Sequence, residues 1–277
     1  MSAESFVEGT VQVGTLPAIF FKVNQAVEDP ETSFSDLGRI IGADSGLTAR
    51  LLKIVNSPYY GFEASIETLE HAITLVGMQE VRDMVLATTV IRYFRGVDGE
   101  ALNMASFWLH SIACGIAARN IAVLRQEPGV ERYYVAGLLH DIGRLVLFMN
   151  HPSEMKDALE RYEQGGLLVD AELEVLGADH AQVGAALLAK WKLSDRLAAT
   201  VRDHHAPNSG AENFTDAAIV HLADVLVHGM ELGASGERFV PPLSAEAWKA
   251  LGLDTGDLAP LLARVELQAD EMAQTFL

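Results

Sequence analysis

From Pro17 to the end of the chain, apolar residues recur at three- and four-residue intervals, and no sustained two-residue alternation appears. The pattern predicts an all-α protein. Pro17 opens a helix, Asp36 can cap a short one, Asp44 or Ser45 starts the next, and Asn56-Ser57-Pro58 ends it. Helical stretches over 66–75 and 78–94 follow, separated by Gly77. The run Gly96-Val97-Asp98-Gly99 is the best hinge, which places a boundary near residue 98. Beyond it the spacing predicts helices over 103–124, 130–149, 152–164, from about 167, and over 180–191, 195–205 and 216–229, together a helical bundle. Residues 233–242 read as a loop, and 245–277 return to helical spacing as a packed pair. The organisation expected is a helical lobe at 1–98, a second lobe at 99–229 and a C-terminal extension at 230–277.

Composition narrows the class. The chain has 277 residues, 49% hydrophobic and 21% charged, enough apolar surface to form a globule. Its 20 Lys+Arg against 38 Asp+Glu give a net charge of -18. Such a surface repels phosphate backbones and anionic head groups, so neither nucleic acid nor membrane is an expected partner. Cys114 is the only cysteine, which excludes an internal disulfide and fits a reducing compartment. The N-terminus lacks a basic start followed by an apolar stretch, and the longest apolar candidate, 133–148, is interrupted by His140, Asp141 and Arg144. A cytoplasmic location is expected.

Several of the nine histidines fall inside apolar helical runs, where an ionisable group is costly without a partner. The densest case is Gly137-Leu138-Leu139-His140-Asp141-Ile142-Gly143-Arg144. Adjacent residues on a helix point about 100° apart, so His140 and Asp141 can reach one cation over the helix face. Alone, the pair fits a buried histidine equally well. His110, His180, His204-His205 and Asp224 each lie on a different expected helix, however, and facing helices of a bundle converge on one interior point. Imidazoles with carboxylates suit Fe, Mn, Zn or Ni better than Mg or Ca.

This order, a His, a His-Asp pair and a distal Asp, resembles the HD-domain superfamily of metal-dependent phosphohydrolases, with His110, His140, Asp141 and Asp224 in the ligand positions. His180, His204 and His205 look like the added ligands of the HD-GYP branch. The Gly-Tyr-Pro element of that branch is absent after His205, and Arg144 stands where a phosphate-contacting Lys usually follows. A closer resemblance, over about 14–229, is to the HDOD family, the HD-related output domain of bacterial signalling proteins. It is carried by Leu16-Pro17-Ala18-Ile19, by the stretches 40–48, 51–60 and 66–77, by Trp108 to Ser111, by Gly137 to Leu147, and by His180 to Ala185 running to Trp191.

The resemblance implies a two-lobed regulatory module with an HD-like C-terminal lobe, acting through contacts with signalling proteins. It implies a metal-capable, non-catalytic site: His110, His140, Asp141 and Asp224 for one metal, and His180 with His204 or His205 for a second, Asp141 bridging. The alternative is a metal-dependent phosphohydrolase or phosphodiesterase acting on a nucleotide-type ligand, with Arg144 meeting the phosphoryl oxygens. A third reading is a pure interaction protein. Asn56 and Ser57 are expected in a structural or inter-lobe role at a helix end. His71 and His151 stay outside the site, whereas His221 and His228, at i-3 and i+4 from Asp224, are candidates to share its face. Cys114 reads as a buried packing thiol, and Trp108, Trp191 and Trp248 as packing residues.

Overall fold

The computed structural model describes residues 2–8, 16–94 and 102–276. Those residues form helices and no strand. The expected hinge at 96–99 lies outside the described residues. The chain opens with α1 (Ala3–Val7) and continues through α2 (Ala18–Glu28), α3 (Phe34–Gly42), α4 (Ser45–Val55), α5 (Leu69–Val76) and α6 (Met78–Tyr93). Then come α7 (Met104–Leu124), α8 (Glu131–Leu139), α9 (Ile142–Asn150), α10 (Pro152–Glu163), α11 (Leu168–Leu176), α12 (His180–Lys190), α13 (Asp195–Asp203), α14 (Phe214–Gly229), α15 (Ala245–Leu251) and α16 (Thr255–Phe276).

Backbone packing gathers these helices into two compact units that are not consecutive pieces of chain. One unit combines α2–α6 with α16 from Leu267 onward. The other combines α1, α7–α15 and α16 up to Glu266. The boundary expected near 98 falls beside the observed division at 96–97, whereas no division falls at 229, residues 1–15 go with the larger unit and residues from 267 on go with the smaller. The physical reason is that α16, at 22 residues, is about 33 Å long, so its two halves can serve different cores.

In the smaller unit, α6 is buried on nearly every side, through Val81, Val85, Leu86, Ala87, Val90 and Ile91, and the apolar faces of its neighbours supply Phe20, Leu37, Ile41, Leu51 and Ile73. Asp44 caps α4 by accepting from the Leu47 amide at 2.9 Å. The cap of α3 is Ser33, with Asp36 at the third helical position returning a bond to Ser33, so Asp36 completes a capping box and is not itself the cap. Asn56 closes α4: its amide nitrogen donates to the Leu52 and Ile66 carbonyls at 2.7 and 2.8 Å, and its oxygen accepts from the Ile66 amide at 2.7 Å. Ser57 lies 3.7 Å from the Met272 sulfur, also within this unit. Because Asn56 ties down a segment ten residues away, Asn56→Ala is expected to destabilise the protein by about 1–2 kcal/mol in urea unfolding. Asn56→Asp should not restore the loss, since a carboxylate cannot donate to two carbonyls.

In the larger unit, α7 is the central helix. Among the described residues it alone is long and apolar enough to cross a membrane by length and composition, a longer candidate than 133–148, and 78% of its apolar window is buried inside the protein. Packing against α8 and α14 accounts for that apolarity. Two close approaches set the site. A Cβ on Gly137 of α8 would lie 2.6 Å from the Cys114 carbonyl of α7, and one on Gly143 of α9 would run into the His180 carbonyl and lie 2.5 Å from the Gly184 nitrogen of α12. Glycine at these positions lets helix backbones touch.

Candidate metal centre

The stretch 130–149, read as one helix, is two. α8 stops at Leu139, His140 is its C-cap, and α9 starts at Ile142 after a turn at Asp141. The break sits at the His-Asp pair and frees both side chains from the fixed 100° offset of a continuous helix. His140 also serves the helix end: its Nδ1 lies 2.7 Å from the Gly137 carbonyl. His204 repeats the device as C-cap of α13, with Nδ1 at 2.6 Å from the Val201 carbonyl. A carbonyl can only accept, so in both rings Nδ1 carries a proton, and whenever the ring is neutral the lone pair is on Nε2. His180 is oriented similarly by Glu172, whose Oε2 accepts from the His180 amide at 2.9 Å and from its Nδ1 at 2.5 Å.

The lone pairs point inward. His140 Nε2 lies 3.2 Å from Asp141 Oδ2 and 3.5 Å from Asp224 Oδ1, and His110 Nε2 lies 3.2 Å from the same Asp224 oxygen. Asp141 Oδ1 lies 3.0 Å from His180 Nε2, which faces His205 Nε2 at 2.8 Å. The donor atoms fall into two groups that could each hold a metal ion, His110, Cys114, His140 and Asp224 in one and Asp141, His180, His204 and His205 in the other. All seven residues singled out in the sequence come together. Asp141 faces both groups, its Oδ1 toward His180 and its Oδ2 toward His140.

The donor set fits a metal by an internal test. His140 Nε2, His204 Nε2 and Asp141 Oδ1 are buried without a hydrogen-bond partner in the protein. Buried polar atoms are normally satisfied, and imidazole nitrogens whose other ring nitrogen bonds a carbonyl or carboxylate are the usual arrangement of metal-binding histidines.

Electrostatics agree. Asp141, Asp224, Glu172 and Glu237 are buried within a few ångströms of one another, with Arg144 as the only permanently charged cation among them. Four carboxyl groups less one guanidinium leaves three, so the cluster calls for further positive charge. Burial would lower the His140 imidazole, but Asp141 and Asp224 outweigh it and lift it to about 10. Burial and Arg144 likewise pull His180 down, but Glu172 and Asp141 outweigh them and lift it to about 9. His110 and His204 go down to about 4 and about 3, burial being the main cause. Asp141 is held well below the usual carboxylate range, since Arg144, His140 and His180 overcome the opposite pull of burial.

Arg144 is fully buried. Its guanidinium lies 2.7 Å from Glu237, 3.4 Å from Asp141 and 3.5 Å from Glu172, and donates to the Ser235 hydroxyl at 2.6 Å. Here it balances carboxylates and does not face solvent.

Four neighbours of the site escaped the sequence reading. Glu172 lies between Leu168 and Leu176 at four-residue spacing on the buried face of α11, a signal that was available. Ser235 and Glu237 lie in a loop whose composition carries none. Cys114, read as packing, is buried as expected but sits 3.5 Å from His110 Nε2 and 3.9 Å from Asp224, with its thiol raised by burial and then by Asp224. Of the two histidines flanking Asp224, His228 joins the cluster, with Nδ1 2.9 Å from Asp224 and Nε2 3.3 Å from Glu237. His221 does not. Its Nδ1 meets the His204 carbonyl at 2.9 Å and its Nε2 accepts from the Ser244 amide at 2.9 Å.

An all-helical unit built around a broken helix bearing His-Asp, with further His and Asp from four surrounding helices, defines an HD-type protein. Residues 13–207 match the HDOD domain, and the chain belongs to the HDOD family. The fold is similar over 99% of this chain and 95% of the other to an HDOD domain protein of unknown function from Geobacter sulfurreducens, at a TM-score of 0.81 and 24% identity. It is similar over 97% of this chain and 99% of the other to a protein from Shewanella amazonensis SB2B provisionally named a phosphohydrolase, at a TM-score of 0.77 and 23% identity. A provisionally named signal transduction protein from Marinobacter aquaeolei VT8 matches over 98% of this chain and 61% of that one, at a TM-score of 0.76 and 21% identity. A Treponema pallidum (strain Nichols) protein of uncharacterised function is 26% identical over 206 residues, 73% of this chain, and the match spans only 39% of that relative.

Proposed function

We propose that the chain is a regulatory module of signal transduction that acts through contacts with signalling proteins, and that its HD-type cluster binds a mono- or dinuclear transition metal, Fe, Mn, Zn or Ni, as a structural element. The observation that carries this reading is the set of buried imidazole lone pairs without protein partners beside two carboxylates. The donors come from α7, α12, α14, the α8–α9 turn and the end of α13, so a metal in either group would cross-link three parts of one core, and a pair would join all five. Arg144 supports a structural role, since its hydrogen-bonding groups are turned to Glu172, Ser235 and Glu237 and not to an open space where a phosphoryl group could enter. The name of the Marinobacter aquaeolei relative supports signalling.

A second reading, metal-dependent phosphohydrolase, is favoured by one observation: Asp141 addresses both donor groups with separate oxygens, the arrangement a metal pair needs to activate water for attack on a phosphoester. Elemental analysis of untagged protein purified without chelator separates the readings from a metal-free relic. The proposal expects one or two equivalents of transition metal per chain, a lower melting temperature after chelation, and no turnover of nucleotides or cyclic dinucleotides by the loaded protein. Metal-dependent turnover abolished by His140→Ala would establish the second reading. Less than a tenth of an equivalent after anaerobic reloading would sink both.

A further inference from the structure

We propose that Cys114 is a thiolate ligand of the first donor group, which makes that position a sulfur-bearing site that favours zinc(II) over manganese(II). The inference rests on the metal-binding reading above and goes beyond it. It adds a sulfur ligand to the order of a His, a His-Asp pair and a distal Asp, and it makes the two donor groups chemically unlike, since the second offers only imidazoles and a carboxylate.

Sequence and packing together fix where the thiol stands. Cys114 follows His110 by four residues on α7, so the two side chains share one helix face, the spacing at which paired ligands on a helix reach one ion. The Cys114 backbone is held against α8 just before its end, since the Cβ that Gly137 lacks would come within 2.6 Å of the Cys114 carbonyl. His140 follows Gly137 by three residues, and its ring centre lies 5.4 Å from that of His110. Asp224 reaches the same point from α14, which packs on α7.

The spacing of the donor atoms is that of a shared ion. Cys114 Sγ lies 3.5 Å from His110 Nε2 and 3.9 Å from Asp224 Oδ1, and that oxygen lies 3.2 Å and 3.5 Å from the Nε2 atoms of His110 and His140. Bonds of roughly 2.0–2.2 Å to nitrogen and oxygen and 2.3 Å to sulfur put ligand atoms about 3.3–3.6 Å apart around one four-coordinate ion. His140 Nε2, fully buried and without a hydrogen-bond partner in the protein, independently calls for a cation at this point. His228 stands closer to Asp224, at 2.9 Å, but its Nδ1 also faces the Asp224 carbonyl at 3.1 Å and its Nε2 faces Glu237 at 3.3 Å. Its nitrogens are turned to oxygen acceptors, which leaves Cys114 as the fourth donor. On binding, the thiol gives its proton to solvent and the sulfur bonds the ion. A thiolate is a soft ligand that suits zinc(II), whereas manganese(II) is suited by carboxylate, carbonyl and water.

Anaerobic loading of the metal-depleted full chain with cobalt(II), with bound metal counted by elemental analysis, tests this. Cobalt bound to saturation should give a near-ultraviolet thiolate-to-cobalt charge-transfer band in the wild-type protein, and folded Cys114→Ser should bind cobalt without the band. X-ray absorption of the zinc-loaded wild-type protein should show a sulfur neighbour at about 2.3 Å, a readout that does not depend on the variant's folding. In competition titrations Cys114→Ser should lose about tenfold or more in zinc(II) affinity and stay within about twofold for manganese(II), a split that a packing role would not produce. Saturating cobalt without the band, zinc without a sulfur neighbour, or equal losses for zinc and manganese overturns the thiolate and leaves the metal-binding reading standing. A chain that takes up no metal at all overturns both.

Discussion

Arg144→Met is expected to destabilise the larger unit by about 3–5 kcal/mol, the range for removing one partner of a buried ionic network. The guanidinium is the permanent positive charge among Asp141, Glu172 and Glu237, and it is fully buried, so no solvent screens the carboxylates left behind. Arg144→Lys should recover only part of the loss. A single ammonium cannot reach Glu237 and Ser235 on one side and Glu172 on the other as the planar fork does. Adding Glu237→Gln to Arg144→Met should restore some stability, because it removes one of the stranded charges. A double-mutant cycle in urea that gives strictly additive losses would show that the network does not act as a unit.

The helical class was legible because apolar spacing persists along helices such as α2, α4 and α10, whose buried residues recur every three or four positions. The seven clustered residues were legible for a related reason: an ionisable side chain inside an apolar helix stands out against its neighbours. The break at His140–Asp141 was not legible. The composition on both sides is helical, and what ends α8 is a side-chain bond from His140 to Gly137 that no propensity encodes. Glu237 and Ser235 were hidden differently, since they come from a loop where polar residues carry no pattern and reach Arg144 across 91 to 93 positions of sequence. The discontinuous units follow from α1, which packs on α9 and α12 of the larger unit, and from α16, whose periodicity gives no sign that its halves belong to different cores.

Asp141→Asn is expected to lower bound metal more than any other single change in the cluster, because Asp141 is the residue that addresses both donor groups. The substitution keeps the shape but replaces an anionic oxygen with an amide that repels a cation from its nitrogen side. Changes confined to one group should act on that group alone. His205→Ala, which removes a half-buried ring from the second group, should halve the metal content of a two-metal protein, and Cys114→Ser should weaken only the first group. The three variants form a ladder that inductively coupled plasma analysis reads directly: least metal in Asp141→Asn, half in His205→Ala, and near full occupancy with easier removal by chelator in Cys114→Ser. Folding must be monitored alongside by far-UV circular dichroism, since Asp141 also partners Arg144 at 3.4 Å. Metal content that falls equally in all three folded variants would mean a single metal ion shared by the whole cluster. Content that stays at the wild-type level in folded Asp141→Asn would remove Asp141 from the ligand set and, with it, the physical basis for reading this cluster as a two-metal centre.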